Sequence, residues 1–319
     1  MRFGFQLMLR GPAASGEGLS SIVEQGEANG FDVVAPNDHI VVPNGIESHY
    51  PYTEDGVWPG AVVGECHEQL TALAYISGRT ERIKLLTSVM VVPYRAPVLT
   101  AKIIATADVL SEGRLIVGVG AGWMAEEFQA VGAPEFLKRG KVTDEYLRIF
   151  SILWGSSNLK YEGEFAGFSD ILFEPRPVQK PHPPIWIGGE SKAALRRVAR
   201  LGDGWYPVAN NPKYRIANPD DLKARLNILR EICDEEGRDF GELDIAFFYT
   251  GPVVPKEQRH EQGRRMLMTG SPADIAEDIS KFEAVGLGTM VMIFQRPELA
   301  QTLEEMEWFS SEVMPLAQS

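Results

Sequence analysis

Asn37-Asp38-His39 is the first place where this sequence sets chemistry-bearing side chains side by side. A carboxylate next to an imidazole suits proton transfer or ligand hydrogen bonding, because imidazoles change charge near neutral pH. The plainer reading is a helix-capping Asp and a solvent-exposed His. Neighbours on an extended segment point to opposite sides, so Asp38 is not expected to orient His39. Gly188-Gly189-Glu190-Ser191 stands between a short apolar run and a helical stretch. Glycines there let the backbone approach a ligand, and the first free N–H groups of a helix form an anion site. Equally, the pair serves a tight turn with Ser191 as a simple cap. Gly118-Val119-Gly120-Ala121-Gly122 makes the same offer at another strand end. A dinucleotide fingerprint would need glycine where Trp123 stands and would close the first strand of the fold, so that reading is set aside.

Other groupings are less specific. Tyr50, Tyr52 and Trp58 fall in one irregular stretch, where they suit a lid over a planar ligand or an anchor for the loop. Lys256, Arg259, Arg264 and Arg265 would meet an anionic tail or form a solvated face. His49, His67, His182 and His260 show no metal-ligand spacing, and Cys66-His67 reads as part of a helix; no metal is expected. There is no Gly-x-Ser-x-Gly elbow and no P-loop.

The elements that must position these groups are clearest over residues 83–122. An apolar strand (83–86), a loop, a helix (98–110), the turn Ser111-Glu112-Gly113-Arg114 and a second strand (115–117) make a βαβ unit. Its polar and glycine-rich residues gather at the C-terminal strand ends, where parallel α/β folds bind ligands. Further strands are expected at 2–6, 31–35, 185–187, 204–206, 243–249 and 289–293. Helices are expected at 19–28, 65–77, 143–154, 191–201, 219–236, after Ser271-Pro272, and at 297–313. Eight alternations with no linker between halves favour a (β/α)8 TIM barrel, one domain over residues 1–319. Two insertions, 40–64 and 250–270, then lie in βα loops on the catalytic face. A third irregular stretch, 155–184, is expected to hold hairpin strands near 161–165 and 171–173.

Composition narrows the classes of function. A net charge of −13 argues against a nucleic-acid partner, which needs a basic face. The apolar content of 44% with 24% charged residues suits a soluble globular chain with a full core. Two cysteines, Cys66 and Cys233, make no disulfide framework and suit a reduced, cytoplasmic setting. The first residues read as a strand rather than a signal peptide, and no apolar run approaches the roughly 18 residues of a membrane span.

Six segments in order carry a family resemblance: Asn37-Asp38-His39; Thr87-Ser88-Val89 with Pro93-Tyr94-Arg95-Ala96-Pro97; Leu110-Ser111-Glu112-Gly113-Arg114-Leu115; Gly118-Val119-Gly120-Ala121-Gly122-Trp123; Pro183-Pro184-Ile185-Trp186-Ile187-Gly188-Gly189; and Arg200-Leu201-Gly202-Asp203-Gly204-Trp205. On these the chain resembles the luciferase-like monooxygenase superfamily over nearly its whole length, and within it the deazaflavin (coenzyme F420)-dependent oxidoreductases. The resemblance implies a barrel with a flavin-like ring across its mouth, a small organic substrate and a homodimer. It also implies a bulge or cis peptide at Ser88–Val89 behind the ring, and a phosphate at Gly188, Gly189, Glu190 and Ser191 with Gly120, Ala121 and Gly122 close by. Asp38 and His39 match positions that contact ring or substrate, which makes them the catalytic candidates. Sugar-phosphate dehydrogenases of the superfamily carry a Trp shortly after the Asp-His pair and a Glu after the strand-four glycines. Val41-Val42-Pro43 and Trp123 stand there instead, which disfavours that reaction. Hydride transfer with F420 leads; a reduced-flavin (FMN) monooxygenase and a barrel that binds a flavin-like ligand without turnover are the alternatives.

Overall fold

The computed structural model describes residues 1–60, 64–260 and 263–318, and in it eight parallel strands close into a barrel. They are β1 (Arg2–Leu7), β2 (Val33–Pro36), β3 (Lys84–Leu86), β4 (Leu115–Gly120), β5 (Ile185–Gly188), β6 (Gly204–Tyr206), β7 (Asp244–Phe248) and β8 (Thr289–Met292). They follow one another around the ring in chain order, and pairing of Arg2 with Thr289 joins the last to the first. The returning helices are α1 (Gly16–Ala28), α2 (Gln69–Ser77), α3 (Pro97–Leu110), α4 (Arg139–Gly155), α5 (Lys192–Leu201), α6 (Pro219–Glu236), α7 (Pro272–Ala284) and α8 (Leu299–Trp308). The chain forms the expected (β/α)8 barrel. Among the described residues, no helix is long and apolar enough to cross a membrane.

Side-chain alternation explains why short strands suffice. In β7, Ile245 and Phe247 pack in the layer beneath the helices, whereas Ala246 joins Val33, Leu86, Trp186 and Val291 in a separate cluster drawn from the strands. Strands buried on both faces read as continuous apolar runs, as these do. At the end opposite the strand C-termini, Arg114 is buried and donates to the carbonyls of Ser77, Ile83 and Ser111. The Ser111–Arg114 turn therefore ties strands and helices together.

Several boundaries differ from expectation for local reasons. β4 continues through Gly118 to Gly120, and Val119 and Gly120 pair with the short extension Met90–Val91. A Cβ at Gly118 would collide with the Thr87 carbonyl oxygen, so glycine is what lets the strand run on here. β2 includes Pro36. α2 starts only at Gln69, because the Glu68 side chain caps it by accepting from the Thr71 N–H; Cys66 and His67 precede the helix. The hairpin pairs Tyr161–Glu162 with Gly167–Phe168, and no strand forms at 171–173. Its tip is gathered by Glu145, which accepts from the N–H groups of Glu164, Phe165 and Ala166. A short helix, Ala125–Ala130, not expected from sequence, follows the β4 glycines. Residues 61–63 of the first insertion and 261–262 of the second lie outside the described residues.

Candidate active site

The C-terminal strand ends enclose a cavity of about 430 Å³. Asp38, His39, Ser88, Val89, Gly120, Ala121, Gly122, Gly188, Gly189, Glu190 and Ser191 all line it. Its floor is polar: the Ser88 hydroxyl donates to Gln6 Oε1 at 2.8 Å and lies 3.0 Å from the Tyr206 hydroxyl.

His39 has a partner that the sequence reading did not supply. Its Nδ1 is 2.9 Å from Glu127 Oε2, and the Glu127 side chain has no exposed surface. Glu127 also accepts from the Tyr94 hydroxyl at 2.9 Å and from the N–H groups of Ile40 and Val41 at 2.7 and 3.2 Å. Burial pushes this carboxyl up, but its bond to His39 and the further hydrogen bonds outweigh burial and hold it below the ordinary value. The same carboxylate, after burial, raises the Tyr94 hydroxyl, which stays a donor. An ionised Glu127 only accepts, so the neutral imidazole carries its proton on Nδ1 and leaves Nε2 for a ligand. Glu127 stands four residues after Trp123, on the unexpected short helix; a paired Glu126-Glu127 after the glycine run was the available signal.

Asp38 points elsewhere, as the backbone alternation required. Its carboxylate takes a two-pronged contact from Arg95 at 2.9 and 2.7 Å and the Val91 N–H at 2.8 Å, and the side chain is fully buried. Arg95 also reaches Glu68 at 2.7 Å. Burial pulls the Arg95 guanidinium down, but Asp38 and Glu68 more than reverse this. Both Asp38 oxygens are thus engaged, by Arg95 and by the Val91 N–H.

The opposite side of the mouth is built from backbone. The Ser88–Val89 peptide is cis. A Cβ at Gly120 would come within 2.9 Å of the Val89 side chain, and one at Gly188 within 3.2 Å, so the two glycine strand ends close around Val89. Gly189 has φ +98°, a conformation that disfavours any Cβ. Ser191 caps α5 by accepting from the Ala194 N–H at 3.2 Å, and the first turn of α5 opens on the cavity. Ser191, Ala194 and Arg197 share the face of α5 that lines the cavity. Arg197 is held by Asp144 at 2.5 Å; the spacing of three was its signal, and sequence reading passed over it. The Glu190 carboxylate turns inward to accept from the Val208 N–H and Asn211, and burial raises it. Its side chain therefore fastens the loop after β6.

The aromatic insertion folds over the cavity. Trp58 lies against His39 with ring centroids 4.5 Å apart, and Trp58–Trp123, Trp123–Tyr50 and Tyr50–Tyr52 continue the chain of rings at 5.9, 5.0 and 5.4 Å. A tryptophan thus reaches the imidazole from the loop, although none follows His39 closely in sequence. Glu126 accepts from the N–H groups of Glu47 and Ser48, fastening the same loop. Lys256, Arg259, Arg264 and Arg265 are not among the cavity residues, and Arg265 is paired with Asp278 at 2.8 Å. They are a surface feature of the second insertion.

A closed parallel barrel with its cleft at the C-terminal strand ends, a half-buried imidazole on a buried carboxylate on one side and a glycine cradle on the other defines a barrel with an enzyme-like cleft. The family model of the luciferase-like monooxygenases matches residues 1–268, and the chain belongs to that family. Relatives include the FMNH2-dependent dimethylsulfone monooxygenase of Pseudomonas putida, 26% identical over 96% of this chain and 93% of that protein. An uncharacterised Mycobacterium tuberculosis protein is 31% identical over 80% of this chain and 88% of its own length. Among solved structures, an F420-dependent secondary alcohol dehydrogenase in complex with an F420–acetone adduct superposes with a TM-score of 0.77 at 17% identity, covering 100% of this chain and 99% of that one. The monooxygenase RslO1 of Streptomyces bottropensis gives 0.74 at 21% identity, with 99% of each chain covered.

Proposed function

We propose that this protein is an F420-dependent oxidoreductase acting on a small organic substrate at the barrel mouth. What carries the reading is the His39–Glu127 pair, a proton-handling group fixed at the cavity wall. The residues fit a planar tricycle with a phosphate-bearing tail. Gly120 and Gly188 leave room around Val89 that a Cβ would fill. Gly189, Ser191 and the start of α5 offer backbone donors, with Arg197 alongside, for an anion. When bound, the deazaflavin supplies hydride-transfer chemistry at its C5. Glu127 holds the ring of His39 through Nδ1; Nε2, bare in the neutral ring, takes a proton from a hydroxyl in oxidation, and the imidazolium, with a proton on each nitrogen, gives the one on Nε2 to a substrate oxygen in reduction. Trp58 packs on the ring of His39, with Trp123 and Tyr50 following it.

A second reading, a reduced-flavin monooxygenase, is favoured by the FMNH2-dependent relative at 26% identity across most of both chains. The same cradle would hold FMN. Titrating the purified protein with F420 and with FMN separates the two. Tighter binding of F420, followed by oxygen-independent oxidation or reduction of an alcohol–carbonyl panel, is the expected result. Tighter FMN binding with oxygen-dependent product overturns it, and binding without turnover by either cofactor leaves only a ligand-binding barrel.

A further inference from the structure

Apart from the tyrosines, five side chains that carry or acquire charge line the cavity: Arg10, Asp38, His39, Glu190 and Arg197. Asp38 is matched by Arg95, His39 by Glu127 and Arg197 by Asp144; Glu190 is satisfied by the Val208 N–H and Asn211. Arg10 alone has no counter-charge among the described residues. Among the described residues its side chain meets Met8 Sδ at 3.8 Å and the face of Trp58, 5.9 Å from the ring centroid, with Nη1 beside Gly60. The charge of Arg10 also reaches Tyr50, whose hydroxyl burial nevertheless pushes up to about 12.

Arg10 is nonetheless carefully placed. Gln295 Nε2 donates to its carbonyl at 2.8 Å, and the preceding N–H, of Leu9, donates to Asn37 Oδ1 at 2.9 Å. Two amide side chains thus hold the backbone that aims the guanidinium. Arg10 follows β1, whereas the glycine cradle follows β5, four strands away in either direction around the ring of eight. An anion at the cradle therefore leaves Arg10 uncompensated. A guanidinium favours a carboxylate with two parallel hydrogen bonds, and Arg10 is half-buried beside the face of Trp58.

We propose that Arg10 is the substrate-recognition residue for an organic acid: a compact aromatic or apolar body enclosed by Trp58, Trp123 and Tyr50, with one carboxylate on Arg10. The inference rests on the reading of the cavity as the substrate site and names the class of substrate. Benzoate and benzamide, equal in shape and different in charge, are the probes, read by quenching of tryptophan fluorescence at low salt. Wild-type protein is expected to bind benzoate about tenfold more tightly than benzamide. Arg10→Met is expected to abolish the preference, and Arg10→Lys, which keeps the charge, to retain part of it. F420 or FMN affinity in Arg10→Met should stay within about threefold of wild type. Equal affinity of the wild type for the two probes overturns the inference, as does a preference that survives in Arg10→Met. A tenfold loss of cofactor affinity in that variant also overturns it, by assigning Arg10 to the cofactor. A wild type that discriminates between the probes but binds neither F420 nor FMN refutes the proposed oxidoreductase and leaves the acid site standing.

Discussion

The two sides of the barrel mouth are made of different material. Around β2 and the short helix 125–130, the site is built from hydrogen-bonded pairs of side chains: His39 on Glu127 and Asp38 on Arg95. Around β5 it is built from main chain, with glycine where a side chain would intrude and a helix start facing the cavity. Handling a proton requires one nitrogen held in one orientation, and only a network of side chains supplies that. Holding an anion requires several N–H groups at close range, and absent side chains supply that better. The pairs should govern turnover and stability, the glycines affinity.

The largest effect expected is in His39→Ala, which should lower turnover by ~10²–10⁴ while leaving cofactor affinity within a few-fold. Lost affinity with a preserved chemical rate would move His39 to the binding side. Next comes Asp38→Ala, which strands the buried Arg95 guanidinium. Chemical denaturation should show a loss of about 3 kcal/mol or more, and a loss below ~1 kcal/mol would mean that Glu68 alone satisfies Arg95. On the main-chain side, Gly189→Val should weaken cofactor binding by more than ~1 kcal/mol, since φ +98° excludes a β-branched residue. Unchanged affinity in a calorimetric titration would make that turn purely architectural.

The smallest effect is a pH dependence confined to the side-chain half. Glu127 is held below its ordinary value of 4.5, so its contribution to stability is present above that pH and is lost as pH falls through the lower folded value. Denaturation of wild type and Glu127→Gln should therefore converge in acid. A gap that is constant from neutral pH down to strong acid would remove Glu127's charge from the account.

The same division explains what the sequence disclosed. The barrel and its glycine ends were readable because both follow from local rules: apolar runs at strand spacing, and glycine where a turn needs it. The alternation of directions that parts Asp38 from His39 was also a local matter. The pairs were not readable. Glu127 lies 88 residues from His39 and meets it only because β2 and β4 end at the same mouth. Arg95 meets Asp38 across 57 residues because β2 and β3 also end there. The glycines of β4 look like a loop in sequence, but stay in the strand because Gly118, lacking a Cβ, fits beside the Thr87 carbonyl.

The two neighbouring glutamates on the short helix have a consequence for redesign. Glu126 clasps Glu47 and Ser48, and Glu127 clasps Ile40, Val41 and His39. The aromatic insertion and helix 125–130 are therefore one exchangeable module, although 60 residues (65–124) separate them in the chain. A graft of residues 40–60 from a relative, made to change specificity, would arrive without its two clasps unless helix 125–130 travelled with it. Libraries that recombine this family should place their crossovers so that both segments come from one parent.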